Sequence, residues 1–375
     1  MPETTNRDIT MMSHALTIAQ RGWGQTNPNP MVGAVIVEEG ILVAEGWHRA
    51  AGQAHAEIEA FRALGRKPNP GATLYVTLEP CSTKGRTGAC TAAIIESGIS
   101  EVVIGAIDPN PDHSGGGLVC LREAGITVRQ GILEEACEDL NLLFNHWMKE
   151  QTPLLAGKIA TTFDGKFTTA EADSRWITGE ASRADVMRWR RYFPAIAVSA
   201  KTALTDNPSL TSRLPESTWC PRRFIFDRNL ETSSQFDTLR VFNDSDQNRS
   251  TLICGEKVDA SPAQAAGINL WQLPEKDGHL DLDTFRVRCA EEGIHGVYIE
   301  PGPRWAYALI AEQSIDYLFH YTAPKDPADT SAKDISAKEN PKLINEAYAL
   351  SGIRNESFAQ DTFVRGWLRP NKDSF

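Results

Sequence analysis

The feature that most constrains this chain is a change of hydrophobic period that recurs along its length. Short runs of aliphatic and β-branched residues alternate with longer segments whose apolar residues return every three or four positions. "MVGAVIVEEGILVAEGW" reads as two strands joined by a tight turn at Glu39-Gly40, and "ATLYVTLEP", "EVVIGAID" and "TVRQGI" read as further strands. Helical spacing occupies 8–22, "HAEIEAFRAL", "CTAAIIESGI" closed by Gly98, "GLVCLREAGI" and "EEACEDLNLLFNHWMK", the last as one long helix. Strands alternating with helices call for an α/β sandwich. With 375 residues the chain is too long for one ordinary core. Thr152-Pro153 stands where a second series of elements begins, so two domains are expected, 1–150 and 151–375. In the second, "PAIAVSA", "RRFIFD", "STLICG", "GINLWQL", "GVYIEPG" and "IDYLFHYTAP" read as strands, and "GEASRADVMRWRRY" and "LDTFRVRCAEEG" as helices. The charged tract 325–347 reads as a surface excursion.

Charge narrows the partners. The formal net charge is -11, and the most basic patch, "RADVMRWRRYF", reads as one helix with a phosphate-facing side. Nucleic-acid binding is therefore not expected, and a small anionic ligand is. No apolar run approaches the roughly 18 residues of a membrane span. The N-terminus lacks the basic-then-apolar pattern of a secretory signal, which makes the cytoplasm the expected location. Seven cysteines, an odd number, argue against a disulfide framework. Cys120, Cys137, Cys254 and Cys289 stand in apolar or helical surroundings and read as buried small hydrophobes.

Cys81 and Cys90 read differently. "AHAEIEA" places His55 and Glu57 at a helix start, "EPC" places Cys81 after a strand, and Cys90 opens another helix. One imidazole and two thiols make a three-donor zinc set with the fourth position open, as a catalytic site requires; a structural zinc wants four protein ligands, and no convincing fourth is present. Helix N-termini favour thiolates. Zinc acidifies its bound water to a hydroxide near neutral pH. Glu57 is then the proton carrier between water and a leaving amine. His-x-Glu followed by Pro-Cys is the general signature of zinc deaminases. Nucleoside deaminases of this type carry Cys-x-x-Cys; here eight residues separate the thiols, and the intervening "STKGRTGA" is expected to touch substrate, with Arg86 reaching a phosphate.

The stretches "NPNPMVGAVIV", "EGWHRAAGQAHAEIEA", "GATLYVTLEPCSTKGRTGAC" and "AIDPNP" resemble the bifunctional deaminase/reductase family of riboflavin biosynthesis. The resemblance runs on through "GKIATTFDGK", "SRWITG", "ADVMRWRR", "TALTDNPSLTSR", "IEPGP" and "VRGWLRP", covering nearly the whole chain. It implies a cytidine-deaminase-like α/β/α sandwich followed by a dihydrofolate-reductase-like α/β domain. The first would deaminate a diaminopyrimidinone ribose phosphate with zinc hydroxide; the second would use NADPH to reduce the ribosyl group to a ribityl chain. It further implies that Asn27, His48, Arg86, Asp108 and Asn110 line the deaminase pocket. Lys158, Ser174, Arg190, Leu210, Arg213 and Glu300 would meet the reductase substrate. Ala160, Trp176, Thr202, Asp206, Gly302, Pro303 and Arg304 would meet the cofactor. A homodimer through the reductase half is also implied.

The chain departs from the family pattern in several places. Thr83 replaces a His, and Gly88-Ala89 replaces Pro-Pro, without touching the metal set. Lys201 stands where small residues are usual. Pro301, Arg304, Trp305 and Tyr307 are bulky or stiff in a loop expected to pack against cofactor phosphate. Arg304 would aid phosphate binding, whereas Trp305 filling the pocket would leave a monofunctional zinc deaminase with an inactive C-terminal half.

Overall fold

Each of the two units into which the chain divides, Met1–Gln151 and Thr152–Phe375, is built on its own sheet. The computed structural model describes residues 4–82, 88–111, 113–163, 165–167, 177–324 and 348–369. The tract 325–347, read above as a surface excursion, lies outside the described residues. No helix among the described residues is long and apolar enough to cross a membrane.

In the first unit β1 (Gly33–Glu38), β2 (Ile41–Trp47), β3 (Thr73–Leu78), β4 (Glu101–Ala106) and β5 (Thr127–Gln130) form a sheet in the order β2-β1-β3-β4-β5. β1 is antiparallel to both neighbours, and β3, β4 and β5 run parallel. The helices are α1 (Asn6–Ala19), α2 (Ala56–Leu64), α3 (Cys90–Ser97), α4 (Gly116–Glu123), α5 (Glu134–Leu140) and α6 (Leu142–Glu150). Strand alternation sorts the side chains into two layers. Ile36, Val76 and Ile104 pack with Ala60, Ile94 and Leu121 on one face. Val35, Tyr75 and Val103 pack with Met12, Ile18 and Cys137 on the other. A Thr5–Asp8 capping box opens α1. Asp8 is buried against the Arg129 guanidinium (2.8 and 2.9 Å) and the Tyr75 hydroxyl (2.8 Å), and Arg129 holds its carboxyl well below the usual range. Helix, central strand and edge strand are thus tied at one point.

"EEACEDLNLLFNHWMK" is not the single helix expected. It breaks at Asn141 (φ -113°, ψ 40°) into α5 and α6. The break has a partner far away in sequence: Met31 N–H donates to Asn141 Oδ1 (2.7 Å), and Asn141 Nδ2 donates to Met31 O (2.9 Å). Tertiary hydrogen bonding overrides local helical spacing here. Cys137, Cys254 and Cys289 are buried as expected, whereas Cys120 on α4 is only half-buried, beside the exposed Val119.

In the second unit β6 (Leu154–Thr162), β7 (Ala195–Ser199), β10 (Arg222–Phe226), β11 (Ser250–Gly255), β12 (Asn269–Leu273), β15 (Gly296–Ile299) and β16 (Tyr317–Ala323) make a parallel sheet. β17 (Ala349–Phe358) and β18 (Asp361–Arg369) extend it as an antiparallel hairpin, giving the order β12-β11-β10-β7-β15-β6-β16-β18-β17. Two short ribbons lie outside it, β8 (Ser212–Leu214) with β9 (Ser217–Trp219) and β13 (Glu275–Lys276) with β14 (His279–Leu280). The helices are α7 (Glu180–Tyr192), α8 (Ala200–Asp206), α9 (Arg240–Asn243), α10 (Ser261–Ala265), α11 (Leu282–Glu291) and α12 (Pro303–Ala311). The parallel strands are apolar on both faces, as a sheet covered on two sides must be.

Candidate active sites

The candidate site of the first unit is built from two helix starts and a strand end. α2 lies directly on β2: a Cβ at Gly46 would come 2.2 Å from Ala60 N and 2.5 Å from Ala56 O, so only glycine permits this approach. That seating places His55, the N-cap of α2, beside Cys81, three residues past the end of β3. Cys90 N–H, at the first turn of α3, donates to Cys81 Sγ (3.3 Å), and Thr91 N–H donates to Cys81 O (3.2 Å). His55 Nδ1 stands 3.2 Å from Cys90 Sγ and 3.5 Å from Cys81 Sγ. The three donor atoms lie within 4.8 Å of one another. Tetrahedral zinc needs N–S separations of about 3.5 Å and an S–S separation of about 3.8 Å, from the usual zinc–ligand bond lengths. The donor set therefore fits zinc, in chemistry and in spacing.

Without metal the two sulfurs share one proton, and Cys81, together with burial, holds the Cys90 thiol far above its usual range. Hydrogen bonding from Cys90, and then from His55, draws the Cys81 thiol down to about 4 against the effect of burial. The Cys81 sulfur in turn raises His55. Glu57 is buried, and burial raises its carboxyl above the usual range, so it holds a proton more readily than an exposed glutamate.

A cavity of about 280 Å³ opens on these groups, lined among others by His48, His55, Glu57, Cys81, Asp108 and Asn110. Of the five substrate residues expected here, His48, Asp108 and Asn110 are thus at the cavity. Asn27 is not among its lining residues, and Arg86 lies outside the described residues. Asn29, two positions beyond Asn27, does line it, with Nδ2 3.3 Å from His48 Nε2. His48 Nδ1 donates to Ala54 O (3.0 Å), which leaves Nε2 to accept from Asn29. Burial lowers the His48 pKa, keeping the ring neutral.

Sequence reasoning also missed Glu79, His113, Phe144 and Met148 on the cavity wall. The buried Glu79 accepts from the backbone N–H groups of Asp108 (3.2 Å), Gly115 (3.0 Å) and Gly117 (2.8 Å). It thereby folds the loop that carries Asp108, Asn110 and His113. Gly117 has no room for a side chain: its Cβ would come 2.3 Å from Pro80 O. The glutamate immediately before Pro80-Cys81 was the available signal.

In the second unit the expected substrate residues converge from distant parts of the chain. Arg190 on α7 grips Glu300 with two bonds, Nε–Oε1 2.6 Å and Nη2–Oε2 3.0 Å, and donates to Thr211 O (3.1 Å). Arg213 donates to Thr211 Oγ1 (3.0 Å). Lys158 on β6 lies 5.9 Å over the Tyr321 ring. Burial raises the Glu300 carboxyl, but Arg190, Lys158 and Arg213 outweigh it and leave the group below its usual range. Burial, aided by Arg190, lowers Lys158 and Arg213. Three cations around one carboxylate leave an excess of positive charge, suited to a phosphate. The buried Arg223 fixes this region from behind: it donates to Ser209 O (3.0 Å) and pairs with Asp244 (2.6 and 2.8 Å). Leu210 takes no side-chain part in the cluster; it is buried in the core with Ile196, Val198 and Ala203. Ser174 and Trp176 lie outside the described residues.

Ala160, Thr202, Gly302 and Pro303, expected at the cofactor, lie near the carboxyl ends of the parallel strands, where open α/β sheets bind ligands, whereas Asp206 ends α8. Ser199 Oγ, at the end of β7, accepts from Thr202 N–H (3.3 Å) at the start of α8. Gly302 caps α12, and a Cβ there would meet Thr202 Oγ1 at 3.6 Å. Pro303 is the first residue of α12, and no side chain caps that helix. Ala160 faces Tyr321 across the ladder, while Arg304 and Asp206 are exposed. A glycine-bordered, uncapped helix N-terminus is chemically suited to a dinucleotide phosphate. Trp305 rests its ring on Phe226 (5.0 Å between centroids) and borders a cavity of about 600 Å³ with Ser199, Arg228 and Leu309, which Thr202, Asp206, Gly302, Pro303 and Arg304 do not line.

Fold and site together define a cytidine-deaminase-type zinc enzyme joined to a dihydrofolate-reductase-like domain. Two family models match the chain: the cytidine and deoxycytidylate deaminase zinc-binding region over residues 5–106, and the RibD C-terminal domain over residues 153–326. Riboflavin biosynthesis protein RibD of Bacillus amyloliquefaciens is 39% identical over 364 residues, 96% of each chain. The Escherichia coli protein of that name is 37% identical, covering 85% of this chain and 88% of its own. A solved diaminohydroxyphosphoribosylaminopyrimidine deaminase/5-amino-6-(5-phosphoribosylamino)uracil reductase from Thermotoga maritima is 33% identical, with TM-score 0.75 over 97% of this chain and 99% of that one. The chain belongs to the RibD family, the bifunctional deaminase/reductases of riboflavin biosynthesis.

Proposed function

We propose that the chain performs both reactions in the name of the Thermotoga maritima relative, on a small phosphorylated pyrimidine and in the cytoplasm. The observation that carries the reading is Glu57: a buried carboxyl lining the same cavity as His55 and Cys81, two of the three converging zinc donors. His55, Cys81 and Cys90 would hold zinc, which when bound supplies the acidity that readies a water for attack on the amino-bearing ring carbon. Glu57 takes a proton from that water and passes it to the departing amine, so that ammonia leaves and oxygen takes its place. His48, kept neutral, together with Asn29, Asp108 and Asn110, orients the ring through hydrogen bonds. Asn27 and Arg86 remain proposals for the same substrate.

In the second unit Arg190 and Arg213 bind the phosphate end of the deaminated intermediate, joined by Ser174 and the Leu210 backbone. Ala160, Trp176, Thr202, Asp206, Gly302, Pro303 and Arg304 would hold NADPH, which supplies a hydride to the ribosyl C1′. As C1′ is reduced the sugar ring opens, and its oxygen takes a proton. Lys158, whose burial eases loss of its proton, is placed beside Glu300 to deliver it. We assign a homodimer through the reductase half on the family resemblance alone. The match of the RibD C-terminal domain over residues 153–326 favours the two-activity reading over a deaminase with an inactive second half. Removal of metal by a chelator tests it: ammonia release from the diaminopyrimidinone ribose phosphate should stop and return on adding zinc. NADPH oxidation with the deaminated intermediate should continue throughout. Ammonia release that survives complete metal removal would overturn the deaminase assignment.

A further inference from the structure

We infer that Asn141 is a positioning residue of the deaminase cavity, holding its two walls in register without touching the reacting groups. This rests on the deaminase reading above.

Asn141 is buried, is not among the residues lining the cavity, and stands at the point where a segment of continuous helical spacing is broken. Its amide closes two hydrogen bonds on the backbone of Met31, 110 positions earlier, one accepted from N–H and one donated to C=O. The pair copies a strand-to-strand bridge between a side chain and a main chain, and few other residue types offer a donor and an acceptor in that geometry. Both sides of the bond lead to the cavity. Met31 is flanked by Pro30 and Val32, and Asn29 lies one position further on; all three line it, and Asn29 bonds His48. On the other side, Phe144 and Met148 line it from α6, the helix that starts after the break. The backbone of Asn141 serves α6 as well, its carbonyl accepting from Asn145 N–H (2.8 Å). One residue therefore sets both the direction of α6 and the place of the 29–32 segment.

The metal trio is held by α2, α3 and the end of β3, none of which Asn141 contacts in these bonds. Loss of the amide should loosen substrate binding and spare the metal. The test compares Asn141→Ala and the isosteric Asn141→Asp, in the zinc-loaded full chain, with Ile99→Ala. Ile99 is buried just before β4, at the opposite end of that strand from the cavity. Asn141→Ala is expected to raise the KM for ammonia release about tenfold or more, with kcat changed far less, zinc stoichiometry kept, and NADPH oxidation on the deaminated intermediate unchanged. Asn141→Asp keeps the acceptor but sets an oxygen against Met31 O where the donor stood, so its KM should rise as well; it carries the test if the alanine variant does not fold. Amide exchange at Met31 should quicken in Asn141→Ala, which removes the acceptor of that N–H, and not in Ile99→Ala. A KM equal to wild type, a rise no larger than that of Ile99→Ala, or loss of zinc would overturn the inference. If wild type itself releases no ammonia, the deaminase reading has failed instead, and the Met31 exchange comparison still decides whether Asn141 holds the segment.

Discussion

The two active regions of this chain are assembled in opposite ways. The deaminase region draws its candidate metal donors and the proposed proton carrier from 36 consecutive positions, His55 to Cys90, placed by two helix starts and one strand end. The reductase region gathers Lys158, Arg190, Arg213 and Glu300 from across most of a unit. A local constellation depends on metal and fails at once when a ligand is lost. A dispersed one depends on the fold and on mutual charge compensation, so it should fail by degrees.

Mutations that touch one region and not the other make that contrast measurable. The largest effect is expected from Cys81→Ser, which should lose zinc and lower ammonia release beyond measurement while NADPH oxidation on the deaminated intermediate persists. Retained stoichiometric zinc, measured by metal analysis, would remove Cys81 from the ligand set. Arg190→Ala breaks the bidentate pair and leaves Glu300 buried without its main partner. It should cost about 3 kcal/mol or more in the reductase unit and lower kcat/KM for reduction over a hundredfold, read by thermal melting and NADPH kinetics. Arg213→Ala removes one of three cations and should raise only the reductase KM, about tenfold; an unchanged KM would take Arg213 out of the phosphate site.

The remaining prediction concerns stability against pH, not turnover. His320 is buried between Thr161 Oγ1 (2.7 Å) and the Tyr348 hydroxyl (2.6 Å), and burial lowers its pKa from the usual 6.5 to about 4. The unfolded chain therefore takes up this proton first. Stability of the second unit should fall as pH drops from about 6.5 to about 4, by about 3 kcal/mol from this group, and level off below. His320→Gln, followed by denaturant melts across that window, should flatten the slope.

The same contrast explains what was legible in the sequence. His55, Glu57, Cys81 and Cys90 were readable because metal chemistry dictates residue type and helix starts dictate position, and both leave marks within one short stretch. His48, Asp108 and Asn110 came from resemblance, and the structure places them at the cavity. Glu79 was overlooked although it stands two residues before Cys81, because its partners are backbone N–H groups, which carry no sequence signature. Asn141 was hidden within helical spacing, since its partner lies 110 positions away. In the second half the alternation predicted most parallel strands, but the closing hairpin, β17 and β18, went unread. Its partly exposed strands mix polar and apolar residues without a clean period. The Arg190–Glu300 pair also escaped notice, because charge pairing between a helix and a strand end follows topology, not spacing.

The account's central claim is that one chain holds two separable activities. The most direct test gives Glu57→Gln two substrates in parallel: the diaminopyrimidinone ribose phosphate, followed by ammonia release, and its deaminated counterpart with NADPH, followed by NADPH oxidation. The account predicts that zinc is retained, that ammonia release falls about a thousandfold, and that NADPH oxidation proceeds at the wild-type rate. Full ammonia release by the variant, or no NADPH oxidation by the wild-type chain, would contradict it.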